Sequence, residues 1–343
     1  DSSLSGQAEQ VMQEMLRIAA LDPEWSWSNA AIVARHWKLL HPVLAFCEAN
    51  DIPAQCADQD PPQFWRLRET QRFAEWLSGH GVHPISRDEI SAFLTAQPAG
   101  LWRDLLSDAA MEYRLECGED PLPAMHLREW LADWSREVRR RQRGLLLTTA
   151  HRVKGLEFDH VAVLDGAWEE RGEGEDIDAA RRRYYVAMTR ARKTLTLSHM
   201  NRAGSLIDTL SEIPSVLRRD APRVSAISHK WERRYDTLTP ADIDLGFAGR
   251  LPSTHPIHHV LAKIQPGDPL LLVHENNHWH LKSNGMTVGR LATKYTPPKG
   301  MRCVEARANA ILVRLREDEE NSYANSIRCD RWEMILPELV FAP

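Results

Sequence analysis

The chain has 343 residues, 43% of them hydrophobic and 27% charged, with a formal net charge of −5. This length predicts two or three domains at roughly 100–200 residues each, with ample apolar material for a core. No apolar run approaches the ~18 residues of a bilayer-spanning helix, and an acidic balance does not by itself point to nucleic acid.

Charge is local, however. Basic residues cluster at 136–143, 181–183 and 190–193, and such a patch can bind phosphates on a chain that is acidic overall. The run Arg139-Arg-Arg-Gln-Arg143, taken alone, reads as a solvated helix end. The cysteines, Cys47, Cys56, Cys117, Cys303 and Cys329, have no C-x-x-C spacing and suit reduced, buried thiols in a cytoplasmic protein. No signal peptide is visible, and the first residue is Asp1 rather than Met, so a fragment of a longer chain is expected.

Residues 7–20 have the spacing of an amphipathic helix, with Val11, Met12, Met15, Leu16 and Ala19 on one side. After a turn at Asp22-Pro23, residues 30–34 form the continuous apolar run of a strand buried on both faces, ended by Arg35. A helix is expected over 37–50, a stop at Asn50-Asp-Ile-Pro53, and a further strand from 53 to 56. Residues 64–78 are another helix candidate. Residues 79–143 read as helices over 87–96, 101–115 and 124–142, a small helical insertion between sheet elements. Strands resume at 145–149 and 161–164, a helix spans 176–193, and 194–197 is a strand. Strand, polar tip and helix in alternation is the pattern of a parallel α/β sheet. Residues 211–240, punctuated by proline, read as a linker. The last hundred residues offer short strands at 268–273, 278–281, 286–291, 310–314 and 332–336, which predicts a small β-barrel or curled sheet.

Two stretches carry chemistry. The first is Thr149-Ala-His-Arg-Val-Lys-Gly-Leu-Glu-Phe158 and the second is Tyr185-Val-Ala-Met-Thr-Arg-Ala-Arg192. In the first, a buried strand delivers Thr149 and His151 to its carboxyl end, where open α/β sheets bind ligands. Gly155 permits an unusual turn or a close approach, and Lys154 and Glu157 flank it with opposite charges. A carboxylate there can accept from a ribose hydroxyl, and Thr149 and His151 can donate to strand phosphates. The plainer reading is a strand-to-helix turn with incidental charges. In the second stretch, Ala180, Tyr184, Ala187, Met188 and Ala191 make a buried helical stripe, while Arg183, Val186, Arg190 and Lys193 lie on another face. A packed helix would hold Arg190 rigidly, which suits a guanidinium that stabilises charge on a transferring γ-phosphate. Arg181, Arg182 and Arg192 read as a solvated face.

These stretches resemble motifs V and VI of superfamily 1 DNA helicases of the UvrD/Rep/PcrA type. Thr149 to Phe158 follows the pattern T-x-H-x-x-K-G-L-E-F, and Tyr185 to Ala191 follows Y-V-A-x-T-R-A. More weakly, residues 30–35 resemble motif IV, and 64–77, with Arg68-Glu69, the helix after it. The resemblance covers roughly residues 7–200. It implies a RecA-like parallel sheet flanked by helices, a P-loop NTPase-like fold without its own P-loop, over 1–78 and 144–210. The helical insertion at 79–143, the linker at 211–240 and a small β-rich domain at 241–343 complete the expected division. By the same resemblance Arg35 and Arg190 would reach the ATP γ-phosphate. Gly155 and Glu157 would contact the nucleotide, Thr149, His151 and Lys154 would meet single-stranded DNA, and ATP with Mg²⁺ would be shared with an N-terminal RecA-like domain.

Departures limit the match. Ala179 and Ala180 stand where the family has a Glu-Glu pair, and His36-Trp37 follow Arg35 where a small polar residue and Asn are common. The segment 79–143 is shorter than the family's insertion. No Gly-Lys dipeptide occurs, so no G-x-x-x-x-G-K-[ST] loop is present. Val161-Ala-Val-Leu-Asp165 imitates a Walker B strand, but its place directly after motif V argues against a magnesium site. The chain alone is therefore expected neither to hydrolyse ATP nor to unwind DNA.

The C-terminal region faintly resembles HIRAN-type modules in the rhythm of Gly267-Asp-Pro-Leu-Leu-Leu-Val, Trp279 and Val288-Gly-Arg-Leu. Trp279, Arg290, Lys294 and Tyr295 would there combine stacking with phosphate contacts; a barrel with core aromatics is the plainer alternative. His255, His258, His259, His274, His278 and His280 have no partner at zinc-ligand spacing, so no metal site is expected. The leading expectation is the C-terminal part of an ATP-dependent DNA helicase or translocase, with no membrane partner. The alternatives are the motor part of a helicase–nuclease subunit and a non-catalytic DNA-binding or protein-docking module.

Overall fold

The computed structural model describes residues 3–57, 62–118, 120–136, 142–200, 205–210, 213–219, 231–318 and 325–343. The chain divides into two compact units. Unit 1 comprises residues 1–59, 142–234 and 342–343, and unit 2 comprises 60–141 and 235–341.

In chain order the elements begin with α1 (Leu4–Leu21), β1 (Ala30–Ala34), α2 (His41–Ala49) and β2 (Ala54–Cys56). Then come α3 (Arg68–Gly79), β3 (Pro84–Ile85), α4 (Arg87–Ala96), α5 (Leu101–Cys117), β4 (Leu122–Pro123) and α6 (Ala124–Trp134). The chain returns to unit 1 with β5 (Leu145–Thr149), β6 (Phe158–Val163), α7 (Ala179–Met188) and β7 (Ala191–Leu197). It ends with β8 (Arg234–Thr237), α8 (Pro256–Leu261), β9 (Pro269–Glu275), β10 (His278–Ser283), β11 (Met286–Arg290), β12 (Arg302–Leu315) and β13 (Arg331–Ala342).

Unit 1 is an α/β, RecA-like layer. Its five strands run parallel in the order β2-β5-β1-β6-β7. Every residue of β1 is buried, as are Leu145, Leu146 and Leu147 of β5. Cover on both faces is why these strands read as unbroken apolar runs. Ala31, Val33, Leu146, Val161 and Val163 share one face and cluster with Val153, Trp168, Tyr184 and Ala187. Ile32, Leu145, Leu147 and Ala162 point to the opposite face by strand alternation. That face is left to α1 and α2, whose Val11, Met12, Met15, Val43 and Cys47 are buried.

The helix expected over 176–193 is α7, which stops at Met188. Side chains end it. The Thr189 hydroxyl and Arg190 Nε both donate to the Val186 carbonyl, at 3.2 and 2.9 Å, satisfying an acceptor that continued helix would have used. Ala191 to Lys193 therefore belong to β7, and Arg190 stands in the turn rather than on the helix.

Unit 2 departs from the expected division. The helical insertion and the β-rich segment share a single hydrophobic core, and the helix expected at 64–78 joins them as α3. Strand β8 begins at Arg234, inside the segment read as linker. The strands form a sheet in the order β11-β10-β9-β12-β13-β8, with β8 and β11 at its edges. The 14 residues of β12 and 12 of β13 exceed the five-residue strands expected there. Trp102 of α5, 1% exposed, donates to the Asn309 carbonyl of β12 at 2.8 Å. Arg68 of α3 is equally buried and donates to the carbonyls of Leu261, Ala262 and Ile264, with Glu333 at 3.3 Å. It closes the C-terminal end of α8, and its charge is tolerated because carbonyls and a carboxylate surround it. No helix among the described residues is long and apolar enough to cross a membrane.

Candidate functional site

The first stretch leaves the sheet of unit 1 at its carboxyl edge and re-enters it at the amino edge, where the second stretch ends. At the carboxyl edge, β5 ends at Thr149, beside Ala34 of β1. The Ala150 N–H donates to the Ala34 carbonyl at 3.2 Å, and the Arg152 and Val153 N–H groups both donate to the Thr149 carbonyl. Val153 is thereby driven into the core, fully buried, while His151 and Arg152 are left exposed. The chain continues through Lys154, exposed, and Gly155, whose φ of +84° lies in the left-handed region. An added Cβ at Gly155 would meet no atom within 4 Å, so backbone conformation rather than space selects glycine.

Arg35 follows β1 at this same edge. Its Nη1 lies 3.3 Å from His151 Nε2, and its buried Nε has no hydrogen-bond partner. Burial foremost, and then the charge of Arg183, holds its pKa below the usual arginine value; Glu175 and Glu170 act in the opposite sense. Arg183 of α7 places Nη1 2.6 Å from both oxygens of Glu175 and donates Nη2 to the Glu170 carbonyl at 2.8 Å. The neighbouring His36 binds the Glu170 carboxylate at 2.8 Å through Nε2. The hydrogen bond to Arg183 holds Glu175 below the ordinary carboxylate pKa, and that to His36 does the same for Glu170.

At the amino edge, Phe158 pairs with Ala191, and the Phe158 N–H donates to the Arg190 carbonyl at 2.8 Å. Arg190 is fixed by its own loop: Nε to the Val186 carbonyl at 2.9 Å, Nη1 to the Leu156 carbonyl at 3.3 Å, and Nη2 to the Thr189 hydroxyl at 2.9 Å. A guanidinium has five N–H donors, so three orient it and two remain for a ligand. Glu157 lies beside it, in an exposed pair with Arg192 at 3.0 Å, a contact worth little in water.

Arg190 is thus brought together with Leu156 and Phe158, and Arg35 with Thr149 and His151. Arg35 and Arg190 are not brought together. Val33 pairs with Val163, which sets Arg35 beyond the end of β6, whereas Arg190 precedes its start. Eight residue steps of extended chain along β6 separate the two levels, roughly 26 Å at about 3.3 Å per residue. The cause is direction: α7 runs against the strands, so its last turn returns to the amino edge.

Asp165, which imitates a Walker B carboxylate, is 3% exposed and committed to main chain. It accepts from the Gly166 N–H at 2.7 Å and the Met200 N–H at 2.8 Å. Arg181 and Arg182 form surface pairs with Asp178 and Asp176, in keeping with a solvated face. In unit 2, Arg290 is bound to Asp244, which Arg250 also holds, and Trp279 meets His274 at 4.7 Å between ring centres with the rings tilted by 48°. His255 caps α8 by accepting from the Ile257 N–H. Of the basic run 136–143, residues 137–141 lie outside the described residues.

Sequence reasoning named Arg183 and His36 without a role and missed their partners Glu175 and Glu170. Their signal was present: six acidic residues fall between 169 and 178, with three consecutive arginines beginning three residues later.

The family model of the UvrD-like helicase C-terminal domain matches residues 119–202. That segment includes α6, β5, β6, α7 and β7 and contains both stretches described above. No curated protein matches the chain.

Proposed function

We propose that this chain, a C-terminal part of a UvrD-like helicase, supplies one wall of an ATP-driven DNA motor and is inactive without an N-terminal RecA-like domain. Bound ATP with Mg²⁺ supplies the phosphoanhydride whose cleavage drives such a motor. The chain's own part in that chemistry is positional. Arg190 offers a guanidinium whose orientation is fixed before any ligand arrives, which is what charge stabilisation at a transferring phosphoryl group requires. Glu157 accepts from a ribose hydroxyl once released from Arg192, and Gly155 keeps the backbone near it free of side chain. At the opposite edge Thr149, His151 and Lys154 face the phosphates of a single strand, with Arg35 beside them.

The observation that carries this reading is the triple anchoring of Arg190 on Val186, Leu156 and Thr189. Loss of an arginine finger reduces turnover by roughly 10³–10⁵. DNA-stimulated ATP hydrolysis by the longer protein should fall by that order in Arg190→Ala, with its melting temperature unchanged. Turnover within tenfold of the parent would sink the assignment. DNA-stimulated hydrolysis by the pure 343-residue chain would sink the claim that it is inactive alone.

A further inference from the structure

Ten exposed residues, 169–178, lie between buried Trp168 and buried Ala179. They hold Glu169, Glu170, Glu173, Glu175, Asp176 and Asp178. Both ends are anchored: Trp168 donates Nε1 to the Leu164 carbonyl at 2.7 Å, and Ala179 opens α7. The segment lies against the cations of the carboxyl edge. Glu175 meets Arg183 with both oxygens at 2.6 Å, and Glu170 meets His36. A carboxylate on a guanidinium has nearly the geometry of a phosphate on the same group. Arg35 has an imidazole nitrogen as its hydrogen-bond partner among the described residues, and its buried Nε, like that of Arg183, has none. Two guanidiniums, each with an unsatisfied buried Nε, at the ligand-binding edge of a parallel sheet, one of them covered by a carboxylate, describe an anion site with an internal occupant.

We propose that Arg35 and Arg183 form a phosphate-binding pair, and that Glu175 occupies it as a built-in competitor which an incoming phosphate displaces. The strap of residues 169–178 then sets the affinity of this edge. An arriving phosphate takes over the Arg183 fork and gives Arg35 the acceptor it lacks, while Glu175 is released to water. This rests on the reading that the carboxyl edge meets a phosphate-bearing ligand. The phosphate belongs either to a nucleic-acid strand or to a free nucleotide, and the test separates these sources.

Binding of fluorescein-labelled dT20 and of a fluorescent ATP analogue to the full 343-residue chain is measured between 50 and 200 mM NaCl. In Glu175→Gln the affinity for one of these ligands should rise about three- to tenfold. If that ligand is dT20, its log–log salt slope should steepen by about 0.7, the value for one further phosphate on a single strand. Glu173→Gln removes the same charge from the same strap without touching Arg183 and should change affinity less than twofold. Adding Arg183→Gln to Glu175→Gln should cancel the gain. A gain confined to dT20 assigns the phosphate to a strand, and one confined to the ATP analogue assigns it to a nucleotide. The proposal is overturned if neither ligand gains, or if Glu173→Gln matches Glu175→Gln. Should the parent chain bind dT20 and lose it in His151→Ala while Glu175→Gln has no effect, the strand-facing edge stands and only the competitor fails. If neither parent nor Glu175→Gln binds either ligand while circular dichroism is native, both fail together.

Discussion

At the amino edge of the parallel sheet Arg190 is held by two main-chain carbonyls and a hydroxyl, whereas at the carboxyl edge Arg183 is held by the Glu175 carboxylate as well as the Glu170 carbonyl, and Arg35 by an imidazole. A carbonyl fixes the direction of a guanidinium and leaves its full charge in place. A carboxylate fixes the direction and cancels the charge. The first arrangement suits a group that must stabilise a fleeting anion without rearranging. The second suits a reversible site, where a ligand and an internal anion compete. One residue type is thus tuned for two tasks by the class of its acceptor.

The largest test of this contrast is to remove each arginine from the longer protein. Arg190→Ala should reduce ATP turnover by about 10³-fold or more, whereas Arg35→Ala should leave it within tenfold and weaken strand binding. Equal losses would collapse the two edges into one site. Next is Asp165→Ala. If this carboxylate is structural, deleting it orphans the Gly166 and Met200 N–H groups and costs about 3–4 kcal/mol in urea unfolding. Unchanged stability with lost turnover would instead make it a metal ligand.

A third test reads pH. Burial first, then the charge of Arg234, lowers the pKa of His41, just beyond the carboxyl edge, from 6.5 to about 4. The unfolded chain therefore binds a proton near pH 6.5 that the folded chain refuses until about pH 4. Stability is full above 6.5 and falls as pH drops through that window, by about 2–3 kcal/mol at pH 4.5. His41→Leu should flatten this part of the melting-temperature profile, and a profile identical to the parent's would contradict the burial argument. The smallest effect is expected for Gly155→Ala. A left-handed alanine costs about 1–2 kcal/mol, so the variant should melt slightly lower with the carboxyl edge undisturbed.

Unit 1 was largely legible because its central strands are covered on both faces, and a continuous run such as Ala30–Ala34 suits little besides a doubly buried strand. The placement of Thr149 at a strand end and the need for Gly155 followed from local chemistry. The separation of Arg35 from Arg190 did not, since it depends on strand register and on the direction of α7. Unit 2 was harder for a different reason. The apolar face of α3 fits any sheet, and nothing local announces that its partner lies some 240 residues later, where Leu67 bridges to Leu312. The outer half of β12 hid its strand character behind Arg302, Glu305 and Arg307. Nothing local marks Arg68 for burial, which is rare for arginine; only the tertiary fold supplies the carbonyls that make it tolerable.

The interleaving of the two units sets a timetable during synthesis. Phe64, Trp102, Leu105 and Leu131 belong to a core that Leu238, Leu312 and Phe341 complete, and the residues of unit 1's second half are made in between. At about 5–20 residues per second, the first half of that core waits roughly 10–40 s on the ribosome for its partners. Four helices with apolar faces are exposed for that interval, which makes unit 2 the part of this chain most dependent on protection by chaperones before it is finished.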